Sequence, residues 1–150
     1  MKKLLFIACC ALTLSSCGGR KKLSEFAGMS TAEVPNLVTI RTGWLKNKKK
    51  SFDIELWITN THSQDLVIPT SKITCSRGEV NGSFRFLRFD STLLPLAAGE
   101  QRRIIGDCEL GTKNKGEWTV TFRDIALLSD TGVAGKVLKK ELALKLSPAN

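Results

Sequence analysis

The stretch Ser51–Thr59, SFDIELWIT, alternates apolar and polar residues almost without a break. Successive side chains of a β-strand point to opposite faces, so a period of two builds one apolar face and one polar face. Phe52, Ile54, Leu56 and Ile58 fall on the first, and Asp53, Glu55, Trp57 and Thr59 on the second. The same period recurs at Val38, Ile40 and Trp44, at Ile104, Cys108 and Leu110, and at Trp118, Val120 and Phe122. It returns at Leu138, Leu142, Leu144 and Leu146, where spacing by two fits a strand better than a helix. Turn-forming residues punctuate these runs. Asn60–Asp65 is a polar connection, and Pro69 stops Leu66–Ile68, which reads as an edge or bulged segment. Asn81-Gly82 readily takes the positive φ angles of a type I′ turn and predicts a hairpin between KITCSRGEV and SFRFLRF. LLPLAAGE reads as a loop turning at Gly99. Ile125–Gly135 is either a bulged strand or a long hairpin loop turning at Asp130-Thr131-Gly132. About seven to eight short strands without a long helix predict an all-β, antiparallel β-sandwich.

FDIELWITNTHSQDLVI resembles the strand–turn–strand core of immunoglobulin-like domains in bacterial envelope lipoproteins, and LLPLAAGEQRRI resembles the loop that introduces a later strand. The resemblance implies an immunoglobulin-like order for the sandwich. The Cys–Trp–Cys spacing of antibody domains is absent.

The first residues follow another pattern. Lys2 and Lys3 precede an apolar run, Leu4–Leu14, too short to span a hydrocarbon core of ~30 Å. Small residues and a cysteine follow, as in a cleaved leader. Leu14-Ser15-Ser16-Cys17 resembles the lipobox of bacterial lipoproteins. That resemblance implies a signal peptide over 1–16 and a new N-terminus at Cys17, whose thiol carries the lipid, with acyl chains such as palmitate. Gly18 in place of Asp then favours the outer membrane, facing the periplasm or the cell surface. Residues 17–35 read as a flexible lipidated tether and 36–150 as the β-sandwich domain. Ser30-Thr31-Ala32-Glu33 matches a helical capping box, which Pro35 limits to a turn or two.

Loss of the leader lowers Lys+Arg from 23 to 21 against 14 acids, leaving a net charge of +7. Export makes nucleic acid an improbable partner for this charge. The polyanions of an envelope are lipid headgroups and glycans. Arg20-Lys21-Lys22 would lie beside those headgroups, where each charge adds ~1 kcal/mol on an anionic surface.

Cys75 and Cys108 are the cysteines left after Cys17, and in an oxidising compartment they predict one disulfide. A reduced, metal-binding pair is the alternative. The chain has one histidine and no tyrosine. His62, Ser63 and Asp65 are neighbours in a turn, whereas triad members come from distant segments. No phosphate-binding glycine loop, G-x-S-x-G or H-E-x-x-H occurs. The expectation is a non-enzymatic binding or assembly module without a cofactor, whose partners are the membrane, through its lipid, and an envelope protein or an anionic lipid or glycan. An enzyme or metal-handling protein with a site invisible in sequence is the alternative.

Two tryptophans flank Lys-Asn-Lys sequences: Trp44 in WLKNKKK and Trp118 in KNKGEW. In an immunoglobulin-like order both loops lie at one pole, which would gather Trp44, Lys46, Lys48, Lys49, Lys50, Lys113, Lys115 and Trp118 into an anion-binding surface. The alternative keeps both tryptophans in the core and the lysines as solvated tips. Trp57, on the polar face of its strand, is either covered by another segment or part of a partner-binding patch. If the lipobox reading holds, mass spectrometry of membrane-extracted protein will show a chain that begins at Cys17 with added acyl mass, and Cys17→Ala will block processing.

Overall fold

The computed structural model describes residues 30–47, 50–113 and 115–146; Cys17, Lys48 and Lys49 lie outside them. These residues form ten strands: β1 (Thr31–Val34), β2 (Val38–Asn47), β3 (Ser51–Asn60), β4 (Leu66–Pro69), β5 (Ile73–Arg77), β6 (Val80–Phe86), β7 (Leu93–Leu96), β8 (Gln101–Glu109), β9 (Trp118–Leu128) and β10 (Ala134–Leu146). Their pairings are antiparallel throughout. A short 3-10 turn, Thr70–Lys72, separates β4 from β5, and no α-helix occurs among the described residues.

The strands form one continuous ladder in the order β1-β2-β3-β8-β6-β5-β9-β4-β7, with β10 on the other side of β9. The ladder folds over at β6. Val80–Gly82 pairs with β5, whereas Ser83–Phe86 pairs with β8. One half of the sheet, β1-β2-β3-β8, therefore faces the other, built on β9. Ring packing shows the contact: Phe52 of β3 meets Trp118 of β9 with centroids 4.3 Å apart. The inward face of β3 is fully buried at Phe52, Ile54, Leu56 and Ile58, as its alternation requires. Ile40, Leu66, Ile68, Leu94, Leu96, Phe122 and Ile125 are among the other fully buried side chains. Each such side chain contributes about 1.5–3 kcal/mol on burial.

At the fold-over, Cys75 of β5 and Cys108 of β8 form a disulfide across β6, with Cα atoms 6.1 Å apart. Gly82 lies beside it. A Cβ there would sit 2.7 Å from the Glu109 carbonyl oxygen and 3.2 Å from Cys108 Sγ, so the strand needs glycine where it changes partner.

That finding relocates the expected turn. The β5–β6 hairpin exists, but its turn is Gly78-Glu79, with Gly78 at φ 56°, and Asn81-Gly82 lies within β6. Gly78 supplies the left-handed conformation, leaving Gly82 for the close approach. Two further strands appear where proline obscured the alternation. Residues 31–34, expected as tether or helical turn, pair with β2. Ser30 N–H donates to Thr42 Oγ1 and Thr42 N–H to the Ser30 carbonyl, and Pro35–Leu37 turns the chain with Asn36 at φ 57°. Strand pairing satisfies more backbone groups than a helix cut short by Pro35 could. Among the described residues the first strand is thus Thr31–Val34, ahead of the expected boundary at 36. Likewise Leu93–Leu96 is β7, whose only strand partner among the described residues is β4; such an edge strand tolerates Pro95.

The ambiguous stretch after Ile125 is strand to Leu128, then a turn containing Gly132 at φ 77°, then β10. Within β9, Asp124 adopts φ 55° where the strand's neighbour changes from β5 to β4. Pro69 and the 3-10 turn make the matching break on the other side.

The disulfide closes a sequence separation of 33 residues. Its reduction is expected to cost roughly 3–4 kcal/mol through the entropy returned to the unfolded chain. Urea unfolding of the oxidised and reduced protein measures this, and equal midpoints would contradict it.

Candidate functional site

The β2–β3 and β8–β9 connections emerge at one end of the molecule. Ser51 pairs with Glu109, and the Leu110 N–H donates to the Lys50 carbonyl at 2.9 Å. Exposed Lys46, Lys50, Lys113 and Lys115 are carried by these segments and their flanks. The β5–β6 turn joins them, because Gly78 N–H bonds the Glu117 carbonyl at 3.0 Å. Lys145 arrives from β10 and lies 3.8 Å from Glu117. Carboxylates of Asp53, Glu109 and Glu117 are interspersed, so this end is mixed in sign with cations in excess. Trp118 does not belong to its surface. The ring is buried against Phe52, with the Arg77 guanidinium 4.8 Å from its centroid. This corrects the expectation of Trp118 as a surface aromatic: the inward parity of Val120 and Phe122 extends to it. The Trp44 side chain lies outside the described part. Its backbone is registered against Glu55, because a bulge at Gly43 shifts β2 by one residue between Thr42 and Trp44.

On the outer face of β3, Trp57 is covered by its own sheet. The indole Nε1–H donates to Glu55 Oε1 at 2.9 Å. Arg103 of β8 bonds Glu55 Oε2 through Nε at 2.7 Å and pairs with it again through its terminal nitrogen. The same guanidinium lies 5.9 Å from the Trp57 centroid. Glu55 is consequently buried although it sits on the polar parity of the strand. A Cβ at Gly43 would lie 2.9 Å from the indole nitrogen, so the bulge glycine makes room for the tryptophan. Sequence reading missed this cluster, whose signal was a bare glycine within a strand two strands away from Arg103.

The opposite end is held by polar groups. The fully buried Asn60 donates from Nδ2 to the carbonyls of Gln64, Leu96 and Ala97 and accepts the His62 N–H at Oδ1. His62 Nδ1 accepts the Gln64 N–H at 3.1 Å, and Asp65 Oδ1 accepts the Ala98 N–H at 2.9 Å. The His62 and Asp65 side chains thus each bond a turn backbone. Among the described residues no group of three or more His, Cys, Asp or Glu side chains could hold a metal ion.

A second feature unassigned by sequence is an open groove of about 630 Å³ on the flank, between Phe84–Ser91 and Thr70-Ser71. A smaller one of about 360 Å³ adjoins it at Arg88, Phe89 and Arg102–Ile105. The alternation of phenylalanine and arginine in SFRFLRF was its visible trace.

No protein-family model and no curated protein matches the chain. Among solved structures, a candidate lipoprotein (ycdA) from Bacillus subtilis subsp. subtilis str. 168 is similar over 79% of this chain and 39% of its own, at 10% identity and a TM-score of 0.49. The chain thus spans well under half the length of that protein.

Glu100 locks the distal β7–β8 turn. Partial burial works to raise its pKa, but the Ala97 N–H and the hydrogen bond and charge of Arg102 outweigh it, holding the carboxyl below its ordinary value. A carboxylate lowered in the folded state adds stability that is present above its unfolded pKa and is lost as pH falls through the folded one. Unfolding midpoints measured from pH 7 down to about 3 should therefore show a smaller acid-side loss in Glu100→Gln than in the parent, with Glu100→Gln the less stable at pH 7.

Proposed function

We propose that the chain is a lipid-anchored protein of the bacterial envelope whose β-domain is a non-enzymatic binding or assembly module, with its basic end turned to an anionic lipid or glycan surface. Leu14-Ser15-Ser16-Cys17 supports the anchor. The observation that carries the orientation is the direction in which the chain enters the domain. β2 runs from Val38 at the distal end to Asn47 at the basic end, and β1 is antiparallel to it, with Thr31 opposite Arg41 and Val34 opposite Val38. Traced backwards from Val34 to Ser30, the chain therefore runs toward the end that carries the lysines. An anchor ahead of Ser30 and the basic loops then address the same surface.

Physical chemistry favours such an arrangement. Anchoring by acyl chains supplies the affinity, at ~0.8 kcal/mol per buried methylene. Loop lysines add ~1 kcal/mol each near an anionic leaflet and bias which end of the domain approaches it. Their reach is limited to a Debye length of ~8 Å at physiological ionic strength. A tethered domain stays within that range only if its basic end faces the surface.

The delipidated domain should bind vesicles containing anionic lipid at low salt and lose most of that binding at high salt. Replacing Lys48, Lys49 and Lys50 with Ser should weaken it by up to about 100-fold, at ~1 kcal/mol per charge. The Lys50 contact to Leu110 uses its backbone carbonyl, so this bond survives the substitution. Vesicle co-sedimentation measures both effects; salt-independent binding, or an unchanged affinity in the triple variant, would count against the basic end as the contact.

A further inference from the structure

The flank groove is bounded by a strand edge that β6 leaves open. As far as Gly82, β6 pairs on one side with β5; beyond it the pairing is with β8 alone. In an antiparallel ladder, alternate residues turn their backbone groups to the same neighbour. Leu87 N–H bonds the Ile105 carbonyl of β8 at 3.0 Å, which assigns Leu87, Arg85 and Ser83 to the β8 side. The N–H and C=O of Phe84 and Phe86 face the opposite way, toward the groove. The line β5 would have followed is interrupted by the 3-10 turn Thr70–Lys72, so no strand among the described residues occupies this edge. The far wall is fixed: Thr70 N–H bonds the Thr92 carbonyl, and Thr70 Oγ1 bonds the Ser91 carbonyl.

Side chains define what fits. Phe84, Phe86 and Phe89 form an edge-on chain with centroids 5.3 and 5.6 Å apart, partly open to solvent. Leu87 is 51% exposed beside them. The cations that rim the two grooves point outward, and the carboxylates behind them are withdrawn. Arg85 is 70% exposed against 12% for Asp107, and Arg103 is 51% exposed against 8% for Glu55. Arg88 adds a further exposed guanidinium where the two grooves meet. Asp90 is the acidic residue in the lining of the larger groove, and the smaller one is lined by none.

We infer that the open edge of β6 at Phe84 and Phe86 takes up an extended, acidic polypeptide segment of a partner protein as an added strand. The alternating N–H and C=O groups of the edge match a polypeptide backbone, which is how strand addition gains affinity, and the phenylalanines and arginines select apolar and acidic side chains in alternation. A lipid or a glycan lacks the repeating donor–acceptor backbone that this edge would satisfy. The site lies on the flank, away from the Lys50–Leu110 end. It is independent of the anionic-surface reading, and either can fail without the other.

The test uses an alternating Val-Glu octapeptide, with a Val-Lys octapeptide as its charge-reversed control, against the full chain without its leader. Titration followed by amide NMR should show slowed hydrogen exchange at Phe84 and Phe86 with the Val-Glu peptide, and at least tenfold weaker binding of Val-Lys. Phe86→Pro removes an N–H that β8 does not use, and should reduce binding at least tenfold. Arg88→Glu, outside the strand, should do so as well and keeps the test decisive if the proline variant does not fold. Absence of protection at both amides at millimolar Val-Glu peptide overturns the inference. So does equal binding of the two peptides, or a self-associated chain that protects the same amides without peptide.

Discussion

Everything in this fold is arranged around the point where β6 exchanges one neighbour for another. Up to Gly82 the strand belongs with β5, and from Ser83 it belongs with β8. That exchange turns a long antiparallel ladder back on itself, so that the apolar face of β3 meets the apolar face of β9. Two chemical facts secure it. A glycine removes the Cβ that would collide with the Glu109 carbonyl, and the Cys75–Cys108 bond ties the flanking strands together across the corner. Without the corner, Phe52 and Trp118 would lie on the same side of an open sheet and could not bury each other.

Polar groups divide between the two ends in a way that suits their surroundings. At the distal end, Asn60 collects carbonyls from two connections, and Glu100 caps the turn beside it. Burying one amide with all its partners costs little, whereas leaving those carbonyls unmet would cost about 1–3 kcal/mol apiece. At the basic end, lysines are exposed, and the loops are joined by backbone hydrogen bonds, by Arg77 Nε donating to the Gly116 carbonyl and by Lys145 beside Glu117. One end is tied by a buried polar network, and the other exposes its charges.

Most of the architecture was legible because a period of two is a strong signal. The inward set of β3 and the inward thiols Cys75 and Cys108 followed directly from it. Proline hid what was missed: Pro35 and Pro95 broke the alternation that would have revealed β1 and β7. The turn was misplaced because Asn81-Gly82 satisfies the local rule for a hairpin, while the true reason for that glycine is a neighbour in β8, distant in sequence. Glu55 was placed on the outer, polar face, and for Trp57 cover and a partner-binding patch both stayed open. Their parity pointed to solvent, and only the pairing of β3 with β8, and the bulge at Gly43, brings Arg103 over them. Trp118 shows the converse: parity placed it inward, while the charged neighbourhood of KNKGEW kept an outward reading open. Local chemistry was readable, and cross-strand company was not.

The course of β1 has a mechanical meaning. A force applied to the chain ahead of Ser30, directed toward the basic end, runs along the axis of β1. The hydrogen bonds that join β1 to β2 from Thr31–Arg41 to Val34–Val38 are then loaded together, in shear. A pull from the other end of this strand would instead open them singly, like a zipper. If its leading segment holds the domain to a surface, drag thus meets the stiffest geometry at the strand that bears the strain first.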